Sequence, residues 1–168
     1  LAAGNLTLSS GSVASSAGAV FLAADTDNNG VNTLSINTGV TAQGLMTLGG
    51  GTDLNDTVDI NTNISNSGGM WVQNAAMVDI AGGLTINTLC DIVLQNSIGA
   101  VNLSGSVAEL VTLGAGAEGS ISLANLTDST ATQLLVTAQG SMSLAGSDLG
   151  AGEHSFVVDS NDNQTASM

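Results

Sequence analysis

No lysine and no arginine occur among 168 residues, against 14 aspartates and glutamates. A net charge of −14 with no basic side chain excludes a nucleic-acid backbone or an anionic membrane surface as partner. Neither counterion release nor attraction by cationic residues is available for such contacts. Trypsin-like proteases find no bond to cut, and a positively charged leader region is not written in these residues. Proline is also missing, so turns fall to Gly, Asn, Asp, Ser and Thr, and nearly every backbone N–H remains free to join a ladder. Aromatics make up 2% of the chain, while its 43% hydrophobic content is mostly Ala, Val, Leu and Ile. Side chains of that size suit a narrow interior filled by one or two residues per strand. The lone cysteine, Cys90, excludes an internal disulfide and reads as a small buried hydrophobe within Leu84-Thr-Ile-Asn-Thr-Leu-Cys-Asp-Ile-Val-Leu. No run approaches the ~18 apolar residues of a membrane-spanning helix.

What is present is a recurring short alternation. Ile36-Asn37-Thr38, Ile60-Asn61-Thr62 and Ile86-Asn87-Thr88 repeat one tripeptide at near-equal spacing. Around them, Leu6-Thr-Leu8, Leu34-Ser-Ile36, Leu45-Met-Thr-Leu48, Val58-Asp-Ile60, Val78-Asp-Ile80 and Leu84-Thr-Ile86 alternate apolar and polar residues. The pattern continues in Val101-Asn-Leu103, Leu110-Val-Thr-Leu113, Ile121-Ser-Leu123, Leu134-Leu-Val136, Met142-Ser-Leu144 and Phe156-Val-Val158. Period-two alternation over short runs marks half-buried strands, and Gly-Gly, Asn-Gly, Ser-Gly and Asn-Ser pairs mark turns between them. Strands returning about once per 25 residues predict an all-β parallel β-helix, a β-solenoid of about seven coils and right-handed. Its coil starts fall near residues 6, 34, 58, 84, 101, 121 and 142 of one domain spanning residues 1–168. A β-sandwich or jelly roll is the alternative, since it too uses short alternating strands at close spacing.

The run of Gly4-Asn5-Leu-Thr-Leu, Thr33-Leu-Ser-Ile-Asn-Thr-Gly-Val40, Gly83-Leu-Thr-Ile-Asn-Thr88 and Gly119-Ser-Ile-Ser-Leu-Ala124 resembles the repeat regions of large bacterial surface exoproteins of the filamentous-haemagglutinin type. The resemblance lies in composition and rhythm across most of the chain, with no secretion-domain motif. It implies an extracellular or cell-surface β-helical stalk or fibre and names no ligand.

Candidate sites are few. Asp25-Thr-Asp27-Asn-Asn29-Gly30 places oxygen ligands at alternate positions before a glycine, as a calcium loop opens. Asp25, Asp27 and Asn29 are therefore candidate ligands of a weak calcium site. The twelfth position is Ile36 where a bidentate Glu belongs, and the same residues make an ordinary turn. The segments 49–59 and 159–162 offer fainter calcium patterns. His154 stands alone as imidazole, without the partners a metal centre or nucleophilic triad needs, and reads as a solvent-facing or turn residue. Asp53, Asp56, Asp79 and Asp91 are the carboxylates from which a glycoside-hydrolysing pair would have to be drawn. Trp71 is the one large aromatic platform, and lyase chemistry on similar folds relies on missing basic residues. No enzyme is expected, with no catalytic residues and no cofactor other than possible calcium. Thr38, Thr62 and Thr88 form a candidate solvent-facing file of the kind that orders water on ice-binding solenoids, although the unequal coil lengths implied by those starts oppose the required flatness. Asn-x-Ser/Thr triplets at Asn5, Asn55, Asn63, Asn102, Asn125 and Asn163 are glycosylation acceptors only in a cell with that machinery.

These features lead to the expectation of a structural, self-assembling subunit of an extracellular fibre, stalk or sheath. Its partner is another copy of the chain, joined head to tail through solenoid poles that lack helix, lysine or proline caps. The alternative is an adhesin-like binding module for a glycan, a receptor or ice, with the turns at 9–19, 49–57 and 146–153 as its recognition loops.

Overall fold

The computed structural model describes residues 1–49, 54–94, 98–104, 110–115, 119–128, 133–149, 154–158 and 166–167. The first coil comprises β1 (Leu6–Leu8), β2 (Val13–Ser15) and β3 (Val20–Ala23), and the second β4 (Thr33–Ile36), β5 (Val40–Ala42) and β6 (Met46–Gly49). The third holds β7 (Thr57–Ile60), β8 (Ile64–Asn66) and β9 (Met70–Gln73), and the fourth β10 (Ala75–Ala81), β11 (Thr85–Thr88) and β12 (Ile92–Leu94). Then follow β13 (Ile98–Ser104), β14 (Leu110–Ala115) and β15 (Ile121–Ala124), and β16 (Leu126–Asp128), β17 (Gln133–Ala138) and β18 (Met142–Ala145). A partial coil ends the chain with β19 (His154–Val158) and β20 (Ala166–Ser167).

Every third strand stacks. The first face is a six-stranded sheet in the order β1-β4-β7-β10-β13-β16, and the third a seven-stranded sheet running from β3 through β6, β9, β12, β15 and β18 to β20. The second face is split into β2-β5 and the five-stranded β8-β11-β14-β17-β19. All strand pairs are parallel. That arrangement is a β-solenoid and excludes the sandwich, whose hairpin connections make antiparallel neighbours.

The inner register explains the choice of residues. Leu6, Leu34, Val58, Val78, Val101 and Leu126 occupy equivalent positions on the first face. The coils they mark are unequal, the advance from Leu6 to Leu34 being the longest and that from Val58 to Val78 the shortest. On the third face Val20, Met46, Met70, Ile92, Ile121 and Met142 form the matching file. These residues and their i+2 neighbours, such as Ile36, Ile60 and Ile80, make one continuous apolar core. Alternation of side-chain direction sends the intervening Ser35, Asp59 and Asp79 outward.

Coils of unequal length are accommodated at the corners. Asn74 and Asn125, with φ of 55° and 50°, turn the chain from the third face to the first as single residues between strands. Asn is among the few L-residues that adopt the left-handed region readily. The break in the second face is bridged by a backbone bond, from the Ser67 N–H to the Ala42 carbonyl at 3.1 Å, and by a side chain. Asn66, 4% exposed, accepts from the Ala42 N–H at 2.8 Å and donates to the Gly44 and Gly69 carbonyls at 3.2 and 2.8 Å.

The expected coil starts at 84, 121 and 142 are corrected by this register. Ile86 stacks on Ile64 in the second face, while Ile121 and Met142 belong to the third. Only two copies of the repeated tripeptide therefore coincide: Ile36 pairs with Ile60, and the Asn61 amide donates to Asn37 at 3.0 Å. Thr88 stacks on Asn66 and Ala115, lies buried, and donates to the Cys90 carbonyl, so no three-member threonine file forms. Residues 9–19 are not one long turn, because β2 lies within them and pairs with β5. Cys90 is exposed in the turn after β11 rather than buried.

Candidate functional site

The aspartate-rich loop follows β3. Asp25 has φ of 46° and sits at the exit from the third face, where Asn74 and Asn125 sit in later coils. Its N–H donates to the Gly4 carbonyl, and its own carbonyl accepts from the Asn28 N–H. Asp25 Oδ1 accepts from the Asn29 N–H at 3.2 Å, and Asn29 Nδ2 donates to Asp27 Oδ2 at 2.7 Å. The three candidate ligands are thus brought into one loop, but Asn29 meets both carboxylates through nitrogen. Asp25 is fully buried, and its Oδ2 has no hydrogen-bond partner. Ile36 is buried in β4 and adds no oxygen. Calcium prefers six to eight oxygens; in the loop as it stands, Asp25 Oδ1 and Asp27 Oδ2 are both engaged by Asn29 within a hydrogen-bonded turn. Among the described residues no group of three or more His, Cys, Asp or Glu is placed to hold a metal ion.

The other carboxylates lie apart. Asp56 is buried and accepts from the Asn32 N–H at 2.8 Å, bracing one coil against its neighbour. Asp91 Oδ1 does the same for the Ser120 N–H at 2.8 Å, at a corner leading into the third face. Asp79 projects from the first face and accepts from Asn102 at 3.0 Å. Asp53 and the segment 159–162 lie outside the described residues. Two carboxylates do stack: Asp59 and Asp79 are register partners on adjacent coils. Burial raises the Asp59 carboxyl above its ordinary value, the charge on Asp79 raises it further, and the Ser35 hydroxyl, at 3.4 Å, offsets part of the rise. His154 is not solvent-facing. It follows Leu134 in the inward file of the second face, with both ring nitrogens buried and unpartnered.

The two ends of the core form a different kind of site. Leu34, Ile36, Val40 and Leu48 are at most 1% exposed in the second coil. Their register partners in the first coil, Leu6, Leu8, Val13 and Leu22, pack on the same core but are only partly buried. The difference is that, among the described residues, β1, β2 and β3 each have a neighbouring strand on one side only. Residues 2–4 meet only the third-face end of the first coil: the Ala2 N–H donates to the Ala23 carbonyl, the Thr26 N–H to the Ala2 carbonyl and the Asp25 N–H to the Gly4 carbonyl. At the opposite end Phe156, Val158 and Leu149 are also partly buried. A cleft of about 220 Å³ opens there between Leu144, Gly146, Ser147, Leu149 and Phe156.

A third surface is legible only once the register is known. Phe21 and Trp71 project from the outside of the third face and are half exposed. Each lies at the centre of an apolar triplet, Val20-Phe-Leu22 and Met70-Trp-Val72, whose facing the residue types alone leave undecided. No helix among the described residues is long and apolar enough to cross a membrane. The chain matches no family model, no curated protein and no solved structure.

Proposed function

We propose that the chain is a structural segment of an extracellular or cell-surface fibre, stalk or sheath, built by head-to-tail stacking of solenoids, and that it carries no enzymatic activity. The observation that supports this reading is the half-burial of Leu6, Leu8, Val13 and Leu22 at positions that become fully buried as soon as another coil lies against them. An added coil would also meet the outward main-chain groups of β1, β2 and the start of β3, strands that have strand partners on one side only. A contact between unlike ends does not close, so it propagates as a filament. The likeness in composition and rhythm to haemagglutinin-type exoproteins points the same way.

Negative-stain electron microscopy of the concentrated chain tests the reading. Rods many times longer than one solenoid are expected. Leu8→Glu should leave the secondary structure intact, since Leu8 lies on the outermost coil, and should shorten or abolish the rods. Dispersed monomers at high concentration overturn the proposal.

A further inference from the structure

The chain has three aromatic side chains in 168 residues. Phe156 faces inward at the C-terminal pole, whereas Phe21 and Trp71 share one outward file on the third face. Phe21 is paired with Thr47 and Thr47 with Trp71, so the two rings stand on the same side of one sheet with a threonine between them. They are 50% and 44% exposed. Two coils separate them, roughly 9.5 Å along the axis of the rod. The file continues through Val93, Ser122 and Ser143. Gln73, half buried, points from the same face of the strand that carries Trp71, and Asp91 is exposed at the corner just before Val93.

We propose that this file binds a neutral, extended β-1,4-linked glycan laid along the rod. In such a chain each sugar is flipped relative to the last, so every second sugar turns the same C–H face to one side. Two coils of a solenoid match the length of that disaccharide repeat. An aromatic face, negative at its centre, receives the weakly positive axial hydrogens of a pyranose ring. Thr47 and Gln73 then supply the neutral donors and acceptors that meet equatorial hydroxyls. Charge selects among glycans: with no cation in the chain and a net charge of −14, uronate or sialylated polymers are repelled and neutral ones are not. The same argument disfavours a second copy of the chain docking side by side on this face. End-to-end stacking leaves the outer face open, and each added subunit would contribute another strip, raising avidity. The inference does not depend on that stacking.

Trp71 is the only tryptophan, so its fluorescence reports on the strip directly. Titration of the full chain with cellohexaose, and separately with chitohexaose, should give a saturable change in emission for at least one of them. The chain should also be depleted from solution by the matching insoluble polymer, cellulose or chitin. Phe21→Ala and Trp71→Ala, followed by depletion and calorimetry, should each weaken binding by about tenfold or more while circular dichroism and melting stay as in the parent. Polygalacturonate is expected not to bind. Silent fluorescence with no depletion on either polymer overturns the proposal. So does equal binding of polygalacturonate, or loss of binding only in variants that have lost their fold. Sugar-independent self-association that disappears in Trp71→Ala would reassign the face to contact between copies.

Discussion

Asn66→Ala tests the idea that one buried amide stitches the split second face together. In the parent, Asn66 Oδ1 takes the N–H of Ala42, a residue 2% exposed, and Nδ2 donates to the carbonyls of Gly44 and Gly69. The Gly69 carbonyl keeps a second donor, the Met46 N–H at 2.9 Å, and loses least. The Ala42 N–H has no substitute, and a buried orphan donor costs roughly 1–3 kcal/mol, with about 1 kcal/mol more for each ordinary bond lost. The expected destabilisation is therefore about 3 kcal/mol, a fall in melting temperature of roughly 6–12 °C for a chain of this size. Thermal melts followed by far-ultraviolet circular dichroism read it. Asn66→Asp keeps the acceptor but sets a carboxylate against two carbonyls. It should be at least as damaging at neutral pH and recover in part when acid protonates the carboxyl and restores a donor. A loss below about 0.5 kcal/mol in Asn66→Ala, the range of an ordinary surface change, would refute the role assigned to this residue.

Acid should stabilise the protein through Asp59. Its carboxyl is raised in the folded state, so its favourable contribution is complete below the unfolded value and is lost as pH rises through the folded one. The melting temperature should thus climb as pH falls from neutrality into the carboxylate range. Asp79→Asn should flatten that rise and stabilise the neutral protein by at most about 1 kcal/mol, since the pair is largely solvated; an unchanged profile counts against the coupling. Cys90 is exposed and should react stoichiometrically with a thiol reagent without denaturant, whereas reaction only after unfolding would contradict its placement. Calcium at ~5 mM should raise the melting temperature by a few degrees at most, about the gain expected from a millimolar-range site, and Asp27→Ala should remove the gain. Identical curves with chelator and calcium would assign the Asp25 loop to a turn alone.

The strands that were legible in the sequence are those that carry two large apolar residues around one polar residue, such as Leu34-Ser-Ile36 and Val101-Asn-Leu103. Their inward side chains fill the core unaided by context. Among the missed strands, Val20–Ala23, Met70–Gln73 and Ile92–Leu94 open on consecutive apolar residues with no alternation to read. Val13–Ser15, Val40–Ala42 and Ile64–Asn66 instead present one large apolar residue and then Ser, Ala or Asn. They are strands because ladders and the Asn66 amide hold them there, and a short window cannot reveal a partner one whole coil away. Phase was lost for the same reason. Leu84-Thr-Ile86 and Val58-Asp-Ile60 look alike because every face of a solenoid demands the same alternation, so likeness of sequence does not fix which face a strand joins. Cys90 and His154 were misplaced because their surroundings depend on that phase. The aspartate loop was legible as a loop, but the turn of Asn29 toward its two carboxylates through nitrogen is a matter of side-chain geometry.

Stacking in register also explains where a chain without cations can keep its negative charge. Each coil sets a residue over its equivalent, so like meets like along the rod. Leucine over valine gains from this, as do paired amides and hydroxyls such as Asn37 with Asn61 and Ser120 with Ser141, the latter at 3.1 Å. Aspartate over aspartate loses, and no lysine or arginine is available to alternate with it. Among acidic residues whose side chains are described, only Asp59 and Asp79 lie within strands. The column containing that one pair is flanked by neutral donors, Ser35 on one side and Asn102 on the other. Asp25, Asp27, Asp56 and Asp91 stand instead at corners and loops, where three of them accept backbone N–H groups and a fourth, Asp27, takes the Asn29 amide. On the proposed stacking, the first coil would offer an incoming subunit Leu6, Leu8, Val13 and Leu22 rather than a column of carboxylates, since its own Asp25 and Asp27 lie in the loop after β3 and not in the strands. Growth of the rod would therefore set no aspartate over another at these positions.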